Sequence, residues 1–208
     1  MIEHEVRQGE CVASIAAAYG APAKKVWNAP ENEDLREERK DPNVLLPGDS
    51  VFINDRDRKE EACATEQHHK FRKLGAPVYL RLKFLDMGEA RAGEKYVLKI
   101  AGKVIEGATD GEGKIEVVIP PDAEEAVLRL GEKARGEDYL LRLGELDPVS
   151  EPSGVQVRLA HLGYRCGAPG KMDGATMRAV REFQFDQVLK MGEISDETRE
   201  ELVKAHGS

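Results

Sequence analysis

The chain has 208 residues, of which 40% are hydrophobic, 34% charged and only 5% aromatic, and it carries a formal charge of -8. That length favours several small aliphatic cores over one large one. The acidic balance, with Lys and Arg interleaved among acids, argues against nucleic acid, and no apolar run approaches the roughly 20 residues that span a bilayer. The start "MIEHEVRQGE" lacks the basic, apolar and small-residue segments of a secretory signal, so the expected location as synthesised is the cytoplasm. Cys11, Cys63 and Cys166 are widely spaced and form no CxxC pair, which predicts reduced thiols, with no metal site and no cofactor.

In the first block, residues 1–54, Glu3 to Arg7 predicts a short strand. Val12, Ile15, Ala16 and Tyr19 then recur at helical spacing, and Gly20 stops that helix. A polar helical stretch follows, broken by Pro22, Pro30 and Pro42. After the Pro47-Gly48 turn, Val51, Phe52 and Ile53 predict a second strand. The order is strand, helix, helix, strand.

Residues 55–76 are dense in charge and read as a solvated linker. From 77 to 146 the period changes to two. Val78, Leu80, Leu82 and Phe84 share a face, as do Ile115, Val117 and Ile119, and Ala126, Leu128 and Leu130. Closely spaced glycines, the Asp110-Gly111 turn and Pro120-Pro121 punctuate these strands, as in an antiparallel sandwich or barrel. Residues 147–208 return to the helical period, with Val155, Leu159 and Leu162 on one helix, Val180, Phe183 and Val188 on a second, and Leu202 on a third. Ser195 is a good N-cap for the last. The expected fold class is therefore multidomain α+β.

"VRQGECVASIAAAYG" and "LLPGDSVFI" resemble the two ends of the lysin motif, or LysM domain, a βααβ unit. The resemblance implies a shallow N-acetylglucosamine groove lined by Gly9, Glu10, Cys11 and Val12 on one side and Leu45, Leu46, Pro47 and Gly48 on the other. Cys11 stands where the family has Thr, and the connection from Gly20 to Leu45 is long and acidic. "VQVRLAHLGYRCGAP", "GKMDGATMRAVREFQ" and "GEISDETREEL" resemble the three-helix peptidoglycan-binding type 1 domain. Here the resemblance points to Gly163, Tyr164, Gly170, Arg181 and Gln184. The family's D-G-x-F-G loop is not kept: Pro169, Met172 and Asp173 occupy its Asp, Phe and second Gly positions. "GKVIEGATDGEGKIEVVIPPDA" is similar to transthyretin-like β-sandwiches. The three-part order resembles accessory proteins of contractile injection machines, including type VI secretion spikes. That implies peptidoglycan glycan strands, and spike, tube or effector proteins, as partners, and delivery by the apparatus to the periplasm or outside.

Bland readings stand beside these. Trp27 is expected to be a packed residue rather than a sugar platform, and His68, His69 and Cys63 to be solvated linker residues. His4 and His161 read as surface or boundary residues. "TDGEGK" reads as a hairpin turn, since a calcium loop needs more carboxylates. No nucleophile–base pair or HExxH helix stands out, and blocks this small do not readily enclose a deep site, so no enzyme is expected. A carboxylate pair assembled from distant segments stays open. The expected function is non-catalytic peptidoglycan binding in the cell envelope. The alternative is a structural docking adaptor that uses the same folds for protein contacts.

Overall fold

The computed structural model describes residues 1–54, 65–68, 77–86, 88–132 and 136–207. Most of the expected linker, with Cys63 and His69, lies outside the described residues; His68 lies within them and is exposed. The described residues form a mixed α+β structure with six α-helices, several small antiparallel sheets and three hydrophobic cores.

Strands β1 (Ile2–Glu5) and β2 (Ser50–Ile53) pair antiparallel, Ile2 opposite Ile53 and His4 opposite Val51. Between them lie α1 (Val12–Tyr19), α2 (Ala23–Trp27), a 3-10 turn at Pro30–Asn32 and α3 (Glu33–Arg39). The polar stretch is thus two short helices, since Pro30 cannot continue the backbone ladder of α2. Gly20 ends α1 in the left-handed region at φ 66°, a conformation that costs a side chain with a Cβ. Val12, Ile15 and Ala16 pack with Val26, Leu35, Leu45, Val51 and Ile53, and Trp27 is half-buried against the same core. Asn32 locks the turn to β2, accepting from the Phe52 amide and donating to the Phe52 carbonyl, each at 2.8 Å.

In the middle region β3 (Val78–Lys83) pairs with β8 (Lys114–Ile119). A four-stranded sheet runs β10 (Glu137–Arg142), β9 (Glu125–Leu130), β6 (Lys95–Ile100), β7 (Lys103–Ala108). Between them in sequence, β4 (Leu85–Asp86) and β5 (Glu89–Ala90) form a minimal hairpin. Alternation delivers Leu80 and Ile115 from one sheet, and Tyr96, Leu98, Ile100, Ala126, Leu128 and Leu130 from the other, into a single core. The Asp110 turn is not a hairpin: β7 pairs with β6 and β8 with β3, so the turn carries the chain from one sheet to the other. Asp110 shapes it by accepting from the amides of Glu112 and Lys114, both at 2.8 Å.

The last region holds α4 (Pro152–His161), α5 (Gly174–Asp186) and α6 (Asp196–His206) around Val155, Leu159, Ala179, Val180, Phe183 and Leu202. Ser195 caps α6 by accepting from the Thr198 amide at 3.2 Å. Val188 does not belong to α5. It lies beyond the helix end with φ 56° and is 92% exposed, because the chain turns after Asp186 to bring Leu189 back to the core. His161 pairs with His206 through Nδ1 and Nε2 at 2.9 Å, joining the ends of α4 and α6.

Candidate functional site

The sequence points to two surfaces, one at each end of the chain. At the N-terminal one, the loop from Gly9 to Val12 faces the segment from Pro42 to Gly48, tied by the Val12 amide donating to the Pro42 carbonyl at 2.9 Å. Val12 and Leu45, expected to line a groove, are instead core residues at 1% and 4% exposure. Their spacing puts them on the inner faces of the helix and the loop, where burial outweighs display to a ligand. Glu10 is also engaged. It accepts from His4 Nε2 and from the Arg7 amide, each at 2.8 Å, while Tyr19 contacts His4 Nδ1 at 3.1 Å. Partial burial pushes the Glu10 carboxyl up, but these hydrogen bonds outweigh it and hold it below the ordinary carboxylate range.

Cys11 is half-buried and occupies the N-cap of α1, with Ser14 reaching back to accept from the Cys11 amide at 2.9 Å. Leu46 is half-buried, while Pro47 and Gly48 are exposed. Under them, Asp49 receives Arg39 bidentately, Nε and Nη2 each at 2.7 Å, and the Leu46 amide at 2.9 Å. Both side chains of this pair are under 10% exposed. Burial alone would raise the Asp49 carboxyl; the Arg39 hydrogen bonds reverse the sign and lower it.

The far side of the Gly9 loop is covered by the chain itself. Gly9 sits against Leu143 and Gly144, which follow β10, and a Cβ on Gly144 would overlap the Gly9 carbonyl. Both glycines have positive φ, 87° and 76°, so backbone meets backbone with no side chain between. Beyond this joint, Arg158 is 2% exposed and donates through Nη1 to the carbonyls of Asp147 and Gly154 at 2.8 and 2.9 Å. Desolvation lowers that guanidinium to about 10, partly offset by the charges of Asp41 and Asp147.

At the C-terminal surface, two buried glutamines organise the loops. Gln156 donates to the carbonyls of Ala168 and Lys171 and accepts from the Gly170 amide at 2.7 Å. Gln184 donates to the Glu193 carbonyl and Thr198 Oγ1 and accepts from the Gly192 amide at 2.9 Å. Gln184 is therefore fully buried and unavailable to a ligand, and Gly170 belongs to the Gln156 loop. Asp173, in the altered loop, caps α5 by accepting from the Thr176 amide at 2.8 Å, and also holds the Ala168 amide.

Tyr164 and Arg181 do come together. They line an open cleft of about 480 Å³ with Arg178, Glu182, Phe185, Asp186 and Met191. Residues 178, 181, 182 and 185 fall at i, i+3, i+4 and i+7, one outward face of α5. Tyr164 follows the turn at Gly163, sets its ring edge-on to Phe183 at 5.7 Å and donates its hydroxyl to Asp186 at 2.8 Å. Burial, then the Asp186 and Glu182 carboxylates, push the phenol up to about 12, so it stays a donor. Phe185 is 71% exposed and Met191 54%. Arg178, Arg181 and Glu182 have no hydrogen bond or ion pair among the described residues. The α5 period alone could have revealed Arg178, Glu182 and Phe185, since they face away from Ala179, Val180 and Phe183. Met191 comes from a loop fold that the Gln184 bonds set, and no sequence signal announced it.

No group of three or more metal-ligating side chains occurs among the described residues, and no described helix is long and apolar enough to cross a membrane. Compared with known protein families, curated proteins and solved structures, the chain matches none.

Proposed function

We propose that this chain is a non-catalytic peptidoglycan-binding protein of the bacterial cell envelope, an accessory of a contractile injection or type VI secretion apparatus. In this reading it consists of a lysin-motif-like unit, a small β-sandwich and a peptidoglycan-binding-like helical bundle. The bundle makes the cell-wall contact. The observation that carries this reading is the open cleft, where Tyr164 and Arg181 share a surface with the exposed ring of Phe185. An aromatic face flanked by hydrogen-bonding and charged groups suits the mixed apolar and polar surface of a wall fragment. The test is co-sedimentation of the full chain with purified, protein-free peptidoglycan. The expected result is pelleting above a soluble control and a clear loss with Phe185→Ala; equal pelleting of the chain and the control would sink the reading.

A second reading is favoured by the packing of Gly9 on Gly144. With one flank of its groove covered and Glu10 already bonded, the N-terminal unit acts as a docking peg toward spike, tube or effector proteins rather than as a sugar binder. Its test is recovery of such a component with the full chain from a cell carrying the apparatus. Recovery that survives loss of the C-terminal cleft supports it, and recovery of no apparatus component counts against it.

A further inference from the structure

We infer that the C-terminal cleft recognises the peptide stem of peptidoglycan, through a group that carries both a carboxylate and an ammonium, rather than its neutral sugar backbone. This rests on the cell-wall reading above and narrows it. The reason lies in which charges of the cleft are already satisfied. Asp186 is engaged by the Tyr164 hydroxyl at 2.8 Å, so its lone pairs are partly used. Arg178 and Arg181 stand one helical turn apart on α5, both exposed and both unpaired among the described residues. Glu182, one turn beyond Arg178 on the same face of α5, also lines the cleft and is likewise unpaired among the described residues.

Two free guanidinium groups beside one free carboxylate complement a ligand of mixed sign. A carboxylate can be taken bidentately by one Arg, and a neighbouring ammonium is drawn to Glu182. A neutral N-acetylated sugar satisfies neither sign and leaves three charged groups to their own hydration. The exposed apolar side chains of Phe185 and Met191 in the lining suit the methylene and methyl groups of short amino-acid side chains. An acidic protein segment would match the two arginines but would be repelled by Glu182, which sets it behind a zwitterionic group in fit.

The experiment is calorimetric titration of the full chain with three probes: a disaccharide–tetrapeptide fragment with free ammonium and carboxylates, the same fragment with its side-chain amine acetylated, and peptide-free glycan strands whose lactyl carboxylates are amidated so that the sugar backbone is neutral. The intact fragment should bind. Acetylation should weaken it several-fold and the peptide-free strands at least tenfold. Arg178→Gln and Arg181→Gln should each weaken the intact fragment by roughly tenfold, as expected for loss of one charge-assisted contact. Glu182→Gln should remove the penalty of acetylation, a readout that a structural role would not move. Lys103→Gln, on the distant β7, serves as the control for net charge. If peptide-free strands bind as tightly as the fragment, the inference is overturned while the cell-wall reading stands. If no probe binds and peptidoglycan does not pellet the chain, both fall. If an acidic peptide without an ammonium binds as tightly as the fragment, the cleft is a protein-docking site and the inference is likewise overturned.

Discussion

The two terminal surfaces differ in what their side chains are already doing. At the N-terminal loops, Val12 and Leu45 are in the core, Glu10 is held by His4, and Gly9 is covered by Gly144. At the C-terminal cleft the buried polar work is done one layer below, by Gln184, and the outward residues Arg178, Arg181 and Phe185 are left at the surface. A binding surface needs groups whose interactions are not yet used. The lesson is that residues can keep the order and spacing of a resemblance while their polar and apolar groups are spent on folding.

Replacing Asp49 by Asn tests that contrast most severely. It leaves the Arg39 guanidinium buried without its bidentate partner and should cost about 4 kcal/mol. Unfolding followed by the fluorescence of Trp27, the only tryptophan, reads the N-terminal core selectively. A loss below about 1 kcal/mol would mean that the pair is not what holds the loop under Pro47 and Gly48.

Acid should separate the two regions. Desolvation, then the neighbouring His161 and Arg158, lower His206 to about 4, below its ordinary 6.5. A lowered histidine is neutral in the fold, so its stabilisation is full above pH 6.5 and is lost as pH falls toward 4, by at most about 3 kcal/mol. Asp49 is also lowered, but from 3.8, so its contribution is full above that pH and is lost only below it. The near-ultraviolet signal of Tyr164 and Phe183 should therefore weaken between pH 6.5 and 4 while Trp27 fluorescence holds. Simultaneous loss of both would contradict the assignment.

Gln184→Leu leaves the Gly192 amide and the Glu193 carbonyl without their Gln184 partner, while the Thr198 hydroxyl keeps Ser195, at about 2 kcal/mol. It should also disorder Met191 and weaken cleft binding. Unchanged binding would show that the loop holds its shape without Gln184. Gly144→Val pushes a branched side chain onto the Gly9 carbonyl at a positive φ and should cost about 1–2 kcal/mol. Amide exchange should quicken at residues 9–12 and not at 45–48; equal quickening would place the joint elsewhere. The smallest effect is expected from Cys11→Thr, which supplies a better N-cap oxygen to α1 and should stabilise by about 0.5–1 kcal/mol. It should leave wall binding unchanged, and a gain in pelleting would reopen the N-terminal groove.

Much of the architecture was legible beforehand. The two-residue period of Leu80, Leu128 and Leu130 and the helical period of Val155, Leu159, Val180 and Phe183 named most core positions, because periodicity reports a face. Ser195 and Gly20 marked their helix ends through capping chemistry. The same patterns did not say that β7 pairs away from β8, since a turn rich in Gly and Asp serves a hairpin and a crossing between sheets equally well.

Sequence by itself determined most of the helix and strand positions and the aliphatic core faces, which depend on local spacing. Only the tertiary structure decided which candidate atoms remained free. That depends on partners far away in the chain: Gly144 for Gly9, Phe52 for Asn32, Thr198 for Gln184. A buried polar group must find such a partner, and whichever residue supplies it is withdrawn from the surface that a ligand could reach.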